Sequence, residues 1–350
     1  MKEDIASVAT RTIGIDLSQE TSTYVELGAN GESLGEGKFP TTVEGIDTTF
    51  GETPVSRVVL EASGLTHWVA RKFEGMGHQV IVANPRRLHL ISKSARKTDR
   101  NDAYTLARLG RVDPALLHPI WLRDEKCLAV RAALRARKQL VSTRTRLINL
   151  VRGECKVHGE RLASCSSEAF AKRARSAMPE ILRRSLLPLL EVLDALTSKI
   201  RHYDEQIEKI SKEEYPQTRV LRQVAGVGPL IALTYTVTIG DPKRFNDSRL
   251  VGAYLGLVPR IYQSGQSNPN LRITKEGDRD LRSLLVTAAT YITRRSSPDS
   301  ALKRCGRRIA NRGNPRDRAR ARVAVARKLA VLLHRLWLTG EVYQPLPAAK

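Results

Sequence analysis

The first hundred residues alternate between short hydrophobic runs and polar turns. Three β-branched or aromatic runs follow one another with only turn residues between them, which predicts an antiparallel meander. The pattern then alternates between helix and strand, which is typical of a mixed sheet covered by helices. The predicted elements, in order, are strands at 12–17, 23–27 and near 35–39, a short helix after Pro40, a strand at 57–60, a helix at 65–76, a strand at 79–83 and a helix from about 99 to 110.

A different pattern covers the middle of the chain, where apolar residues recur at alternating intervals of three and four positions. This spacing predicts two long helices in an antiparallel hairpin or coiled-coil arm. The clearer seam is Leu186, Leu189, Leu193, Leu196, Ile200, Tyr203, Ile207 and Ile210. The weaker upstream seam is Ala133, Ala136, Leu140, Thr143, Leu147 and Leu150.

Basic residues of the upstream helix are expected on its outer side. They are Arg131, Arg135, Arg137, Lys138, Arg144 and Arg146. A solvated helix face would explain them, and so would a dimerising arm that contacts nucleic acid. The length of the helices and the net charge of the chain favour the second interpretation.

The arm is predicted to end at Tyr215 and Pro216, before a mostly helical C-terminal domain. Gly226 and Gly228 lie between two apolar helical segments, as in a helix-hairpin-helix element whose backbone N–H groups hold a phosphate. A plain tight turn would give the same pattern. Residues 294–335 have a net charge of +12 and the small apolar residues of a helix, so phosphate backbone is their expected partner. The cations chosen as contacts are Arg294, Arg295, Arg307 and Arg308.

Charge is distributed unevenly along the 350 residues. The formal net charge of +23 combines about −1 for residues 1–110 with about +24 for the remainder, which calls for a polyanionic partner. The chain has no run of about 20 apolar residues and no secretory signal, which argues against a membrane protein or an exported one. Its four cysteines include no Cys-x-x-Cys pair, so a disulfide framework is not indicated. A bacterial cytoplasm, with the protein at the nucleoid, is the expected location.

Four carboxylates in the neutral first segment are candidate metal ligands. Asp16 interrupts an apolar strand, Glu61 follows a buried strand, and Asp99 and Asp102 are three residues apart on a predicted helix. Clustered carboxylates repel one another unless a cation is present, and hard oxygen donors suit Mg²⁺ or Mn²⁺. Two such ions could promote phosphodiester chemistry.

Each carboxylate also has an ordinary structural explanation. Asp99 could be a helix N-cap, Glu61 the exposed end of a strand, and Asp102 a partner of Arg100 or Arg108. Asp16 is the hardest to explain in this way, because an acid inside a buried strand is costly.

Several motifs resemble one known family along nearly the whole chain. The N-terminal motifs are GIDLS at 14–18, LEASG at 60–64 and KTDRNDA at 97–103. The C-terminal motifs are GLVPR at 256–260, QSG at 263–265, RITKEG at 272–277 and LR at 281–282. In this order they resemble the insertion-sequence-110 family of transposases, the bridge-RNA-guided recombinases.

The resemblance implies an RNase-H-like, RuvC-type domain at 9–112, a linker at 113–124, a coiled-coil connector at 125–214, a transposase domain at 215–340 and a tail at 341–350. It also implies that Asp16, Glu61, Asp99 and Asp102 form the metal site. Ser264 would join covalently to DNA, and the acids and the serine would then have to be assembled by domain or subunit packing. Ser-Gly is a common turn, and Ser267 is a nearby alternative.

The family's members pair a structured noncoding guide RNA with donor and target DNA, and they work as tetramers. Arg272 or Lys275 would offset charge in the transition state. A covalent phosphoserine conserves the energy of the DNA bond, so no ATP is needed, and the chain has no phosphate-binding P-loop motif. Two other functions remain open: a RuvC-like metal-dependent nuclease of structured DNA, and a nucleic-acid-binding scaffold without catalysis.

Overall fold

The chain divides into two compact units, residues 1–124 and 125–350. The structure is a computed structural model that describes residues 10–88, 98–264, 267, 269, 271–310 and 313–346. The first unit is built on a sheet and the second is mostly helical. The expected division into an α/β region and a helical remainder is therefore confirmed.

Five strands form the sheet of the first unit, in the order β3-β2-β1-β4-β5. The first three strands pair antiparallel, whereas β4 pairs parallel with both β1 and β5, so the predicted meander and mixed sheet are confirmed. The strands are β1 (Arg11–Asp16), β2 (Thr21–Gly28), β3 (Ser33–Pro40), β4 (Arg57–Glu61) and β5 (Gln79–Ala83). The helices are α1 (Val43–Phe50), α2 (Thr66–Gly75) and α3 (Asp99–Val112).

Helix α3 packs very closely on β1. A Cβ atom at Gly14 would lie only 2.1 Å from the carbonyl oxygen of Ala103 and 2.4 Å from the backbone nitrogen of Ala107. The C-terminal end of α3 is held by Arg57, which is 2 % exposed and donates from Nη1 to the carbonyl of Gly110 at 2.8 Å. Burial lowers the pKa of the Arg57 guanidinium. The close contact at Gly14 depends on the absence of a side chain there, so glycine at this position lets α3 lie directly against β1.

Two predictions for this unit need correction. The strand β1 ends at Asp16, so Leu17 is outside it, and Asp16 is half-buried at a strand end rather than inside a strand. The helix expected to end near residue 110 continues to Val112, and the linker expected at 113–124 contains a 3₁₀ helix at Pro114–Leu117. The Asp113 side chain caps that 3₁₀ helix by accepting from the backbone N–H of Ala115.

Two long helices begin the second unit, and they pack side by side. Their contacts run in opposite directions along the chain, from Lys126–Glu214 at 3.2 Å to Arg137–Asp204 at 2.5 Å, which confirms the predicted antiparallel pair. The helices of this unit are α4 (Glu125–Val157), α5 (Phe170–Ala177), α6 (Glu180–Glu213), α7 (Thr218–Leu221), α8 (Pro229–Ile239), α9 (Leu250–Tyr254), α10 (Arg279–Ile292), α11 (Ala301–Ala310) and α12 (Pro315–Thr339).

The predicted seam of α6 is confirmed at four of its eight positions, with the other four half-buried and Leu190 buried instead of Leu189, whereas that of α4 is wrong by one residue. Leu193 and Ile200 are among the buried seam residues of α6. On α4, Leu150 is 45 % exposed. The buried positions there are Cys127, Val130, Leu134, Arg144, Ile148, Val151 and Cys155.

Arg144 therefore lies inside the helix pair and not on its outer side. It donates to Glu168 at 3.2 Å and to Thr197 at 3.4 Å, so its charge is compensated where it is buried.

The C-terminal part of this unit surrounds a single buried helix. Every residue of α8 from Ile231 to Ile239 is buried, and α10 and α12 pack around it. The predicted helical nature of the basic tract 294–335 is confirmed by α11 and α12, although Asn311 and Arg312 lie outside the described residues. None of the helices in the described part of the chain is long and apolar enough to cross a membrane.

Candidate active site

Two predicted carboxylates are the last residues of neighbouring parallel strands. Asp16 is the last residue of β1 and Glu61 the last residue of β4, and the register pairs Ile15 with Leu60 directly before them. Parallel neighbours end at the same edge of a sheet, so both side chains belong to that edge. Both residues are half-buried.

The other two carboxylates lie in the first turn of α3. Its N-cap is Thr98, whose side chain accepts from the backbone N–H of Asn101 at 3.2 Å, so the alternative of Asp99 as N-cap is wrong. Asp102 is buried, with 6 % of its surface exposed, whereas Asp99 is exposed. Asp102 directly precedes Ala103, the residue that lies against Gly14 on β1. An acid in the first helical turn is also favoured by the helix dipole.

The four candidate carboxylates are the kind of ligand that a hard divalent cation prefers, but in the described residues they do not form a coordination shell. Carboxylate oxygens are the ligands that Mg²⁺ and Mn²⁺ prefer. Within the described residues, however, no group of three or more His, Cys, Asp or Glu side chains is placed to hold a metal ion. Asp16 and Glu61 end adjacent strands at one edge of the sheet. The packing of α3 brings Asp102 close to β1, the strand that ends at Asp16. Lys97, the first residue of the third motif, lies outside the described residues.

A charged pair fixes the outer side of the α3 N-terminus. Arg100 makes a bidentate contact with Glu36 of β3, at 2.9 Å from Nε and 2.6 Å from Nη2. This hydrogen bonding lowers the pKa of Glu36. Sequence patterns gave no sign of this pair, because its members are 64 residues apart.

Ser264 lies at the tip of an irregular antiparallel hairpin, which we call the serine hairpin and define as residues 256–277. Its arms are joined by backbone hydrogen bonds of 2.9 Å from Arg260 N to Arg272 O and from Thr274 N to Val258 O. At the tip, Ser264 and Ser267 bond to each other through both backbone groups, at 3.3 and 3.0 Å. Gly265, the last residue of the predicted serine motif, lies outside the described residues.

The serine hairpin exposes large side chains as well as Ser264. Ile261 is 81 % exposed and Tyr262 is 71 % exposed. Arg272 and Lys275 are also exposed, and Lys275 has a left-handed backbone with φ of +59°. Sequence reasoning missed Ile261 and Tyr262, although two adjacent large apolar residues between polar turn residues were a readable signal.

The predicted phosphate contacts of the basic tract are at the surface. Arg294 and Arg295 follow α10, and Arg307 and Arg308 lie on α11; all four are exposed. The turn after α10 is tied to α11 by Lys303, which is 3 % exposed and donates to the carbonyl oxygen of Arg295 at 2.9 Å. This buried lysine was not foreseen.

The glycine pair of the predicted phosphate turn lies at the start of α8. Gly228 is the residue before Pro229 and occupies the N-cap position, with open space where a side chain would extend. A Cβ at Gly226 would lie 2.8 Å from Cδ1 of Tyr291, so this glycine is needed for packing on α10. The preceding helix, α7, has only four residues.

Two transposase families match the chain. A DEDD-type transposase family of IS110 elements matches residues 13–154, which include all four carboxylates. The Transposase IS116/IS110/IS902 family matches residues 218–305, which include Ser264 and Arg272. Arg307 and Arg308 lie beyond that match.

Several relatives extend the similarity over most of the chain. The transposase for insertion sequence element IS1111A of Coxiella burnetii is 32% identical over 311 residues, which cover 85% of this chain and 82% of that relative. The transposase for insertion sequence element IS1328 of Yersinia enterocolitica is 29% identical, over 81% of this chain and 84% of the relative. The pilin gene-inverting protein of Moraxella bovis is 26% identical, over 80% and 79% of the two chains.

Proposed function

Because the chain belongs to the IS110 family of bacterial insertion-sequence transposases, we propose that it cuts and rejoins DNA through a covalent bond to Ser264. The observation that carries this proposal is the position of Ser264, exposed at the tip of a hairpin in a strongly basic unit. A hydroxyl placed there is accessible to a DNA phosphate. The two neighbouring cations, Arg272 and Lys275, are on the same hairpin.

The chemical step exchanges one phosphoester bond for another. The Ser264 Oγ attacks the scissile phosphorus, the bond from phosphorus to a deoxyribose oxygen breaks, and that oxygen leaves as a hydroxyl after taking up a proton. The proton of Ser264 passes to a base or to solvent, since a neutral serine is a poor nucleophile. Attack of a second DNA hydroxyl on the phosphoserine restores Ser264 and rejoins the strand. Arg272 or Lys275 stabilises the charge that develops on the phosphoryl oxygens.

The N-terminal unit is proposed to be an RNase-H-like domain of the RuvC type. The mixed five-stranded sheet and the strand-end acids support this proposal. Asp16, Glu61, Asp99 and Asp102 would hold divalent cations, Mg²⁺ or Mn²⁺, which supply Lewis-acid polarisation of a phosphodiester when bound. The role of the chain itself is to place the carboxylates. The sheet places Asp16 and Glu61 on adjacent strands, and the packing of α3 on Gly14 places Asp102.

The helical unit is proposed to hold nucleic acid. The exposed cations Arg294, Arg295, Arg307 and Arg308 would bind phosphate backbone, and the backbone at Gly226 and Gly228 would add a phosphate contact. The antiparallel pair of α4 and α6 would act as a coiled-coil connector in a tetramer. A structured guide RNA would select donor and target DNA by base pairing, as the resemblance to bridge-RNA-guided recombinases implies.

A matched pair of serine variants tests the covalent step. The purified protein, with its guide RNA and a DNA substrate, is denatured during the reaction, and protein–DNA adducts are separated by electrophoresis. We expect Ser264→Ala to abolish both adduct and recombination, and Ser267→Ala, across the same turn, to retain them. Adduct formation by Ser264→Ala would contradict the proposal. Cleavage without any adduct would favour a metal-dependent nuclease, and neither cleavage nor adduct would favour a non-catalytic scaffold.

The carboxylates and the RNA are tested separately. Asp16→Asn is expected to abolish recombination while DNA binding is retained, because a neutral amide keeps the size of the side chain but weakens cation binding.

Sequence-specific DNA binding is expected only when the RNA is present, measured by gel shift with matched and mismatched guides. Equal specificity without RNA would contradict the guidance part of the proposal.

A further inference from the structure

The two arms of the serine hairpin meet at its base without room for side chains. A Cβ at Gly256 would lie 2.3 Å from the backbone nitrogen of Glu276, and one at Gly277 would lie 2.0 Å from the carbonyl oxygen of Tyr254. Both glycines have left-handed φ values, +64° and +70°. The arms are therefore pressed together, backbone against backbone, at the end opposite Ser264.

One side chain joins both arms at this base. Arg282 is on the first turn of α10, and its Nη1 donates to the carbonyl oxygen of Leu255 at 3.0 Å and to that of Glu276 at 2.6 Å. Leu255 directly precedes Gly256, and Glu276 directly precedes Gly277. The guanidinium thus binds the carbonyl directly before each of the two glycines, at the two ends of the hairpin. Hydrogen bonds from a charged donor are stronger than those between neutral groups.

The helix that carries Arg282 is itself firmly held. Asp278 caps α10 by accepting from the backbone N–H groups of Asp280 and Leu281, at 2.9 and 2.8 Å. Its second oxygen accepts from Arg131 of α4 at 2.7 Å. Leu281 and Leu285 are fully buried in the core around α8. Arg282 is therefore fixed by its own helix, and the hairpin is fixed by Arg282.

Two hydrophobic side chains near the base also hold the hairpin, because Leu257 is buried in the core around α8 and Ile273 packs against that core. Between the base and the tip, the described backbone bonds across the arms are those of Arg260 and Thr274. Residues 259 to 264 are exposed. A displacement of about 1 Å at a reacting group can cost about a hundredfold in rate. Closure at the base and the core contacts of Leu257 and Ile273 thus limit movement of the tip.

We propose that Arg282 is a positioning residue that closes the base of the serine hairpin and thereby keeps Ser264 in one place. This proposal rests on the proposed role of Ser264 as nucleophile. Arg282 itself does not touch the reacting atoms; it acts through the two carbonyls that it holds. Loss of its guanidinium is expected to loosen the hairpin while α10 and the core remain folded.

The test compares Arg282→Gln with Arg279→Gln, an exposed arginine one turn earlier on the same helix. Hydrogen exchange is followed in the full-length protein at the amides of Arg260, Thr274 and Lys275, which bond across the hairpin. We expect Arg282→Gln to lower their protection by about tenfold or more, with the core amides of α8 and α12 unchanged. Arg279→Gln should leave all of them unchanged.

The same variants are then assayed for adduct formation. Arg282→Gln is expected to reduce the rate of adduct formation by about 10- to 100-fold with DNA affinity unchanged. Arg282→Lys should recover part of both the protection and the rate, because it keeps a positive donor but not the planar fork. It also serves as the second variant if glutamine unfolds the helix.

Unchanged hairpin protection in Arg282→Gln would overturn the proposal. Equal loss of protection in the hairpin and in the core of α8 would also overturn it, because Arg282 would then be a general stability residue. Failure of the proposed function is distinguishable: Ser264→Ala would still form the adduct, while the exchange data would continue to decide whether Arg282 closes the hairpin.

Discussion

The candidate carboxylates and the candidate serine are held by different kinds of structure. Asp16 and Glu61 end two strands whose backbones are hydrogen-bonded along their length, and Asp102 is on a helix that touches the sheet backbone at Gly14. Ser264 is on a loop that is pinned at one end and exposed at the other. Dense packing surrounds the acids, whereas the serine is at the exposed end of a hairpin that is held at its base by polar contacts and by the burial of Leu257.

The surroundings of the acids are densely packed, whereas those of the serine are open to solvent. Around the acids, Ile13, Ile15 and Leu60 are completely buried, so a change there must displace backbone. Around the serine, the nearest large side chains are in solvent, so a change there can alter local order without disturbing a core. Substitutions in the first region should therefore act on global stability, and substitutions in the second should act on local opening.

The largest effect is expected from Gly14→Val. The new side chain cannot fit against Ala103 and Ala107, so α3 must move away from β1, at a cost of about 3 kcal/mol. Hydrogen exchange at Val58 and Leu60 of β4 measures the loss of stability in the full-length protein. Gly64→Val is the matched control, because no atom lies within 4 Å of a Cβ at Gly64. Equal stability of the two variants would show that α3 is not held by close packing.

A smaller effect is expected at the base of the serine hairpin. Gly277→Ala combines a left-handed backbone with a clash against the Tyr254 carbonyl, and we expect it to destabilise the hairpin by about 2 kcal/mol. Gly313→Ala has a similar φ of +79° but open space, so it isolates the backbone strain from the clash. Exchange at the amides of Thr274 and Lys275 should rise in Gly277→Ala only. A comparable rise in Gly313→Ala would contradict the local origin of the effect.

The smallest effect concerns Asp278 and depends on pH. Burial raises the pKa of Asp278, but hydrogen bonds from the Leu281 N–H and from Arg131 outweigh it, and the pKa lies below its ordinary value. The stabilisation is therefore present above about pH 4 and is lost as the pH falls through the lowered pKa. Asp278→Asn keeps a good N-cap but removes the charge, so we expect a loss of up to about 1 kcal/mol at pH 7.

The measurement for this variant is the protection of α10 amides as a function of pH. The difference between wild type and Asp278→Asn should shrink as the pH falls through the lowered pKa of Asp278, because the wild-type carboxyl is then protonated. A difference that stays constant from neutral to acidic pH would mean that the contact with Arg131 does not depend on charge.

The order of strands and helices in the sheet unit could be predicted from sequence because its hydrophobic residues recur with the spacing typical of each element. The strand at 79–83 was predicted with the correct bounds, and the helix at 99–110 differed only by two residues at its end. The seam of α4 was wrong by one residue because Arg144 is buried and therefore interrupts the apolar pattern. Alanines at 133 and 136 gave an apparent seam one position earlier.

The serine hairpin could not be predicted in the same way. Its arms carry few apolar residues in alternation, and its base depends on glycine contacts and on a side chain bonded to two carbonyls. Such contacts join residues by backbone geometry and leave no periodic signal. Resemblance made Ser264 the candidate nucleophile, but neither resemblance nor pattern indicated that Arg282 bonds to the hairpin base.

The close approach of Gly256 to the Glu276 backbone, and of Gly277 to the Tyr254 backbone, also bears on how this chain can diversify. Because the two ends of the hairpin are held together at its base, and Leu257 and Ile273 contact the core, the stretch between them, residues 259–272, whose described residues are exposed, is the part that can be exchanged. A segment of another length could replace it without shifting α9 or α10. Related chains could thus exchange the exposed loop that carries the candidate serine as one piece and keep the helical scaffold, which gives protein engineers a natural boundary for grafting.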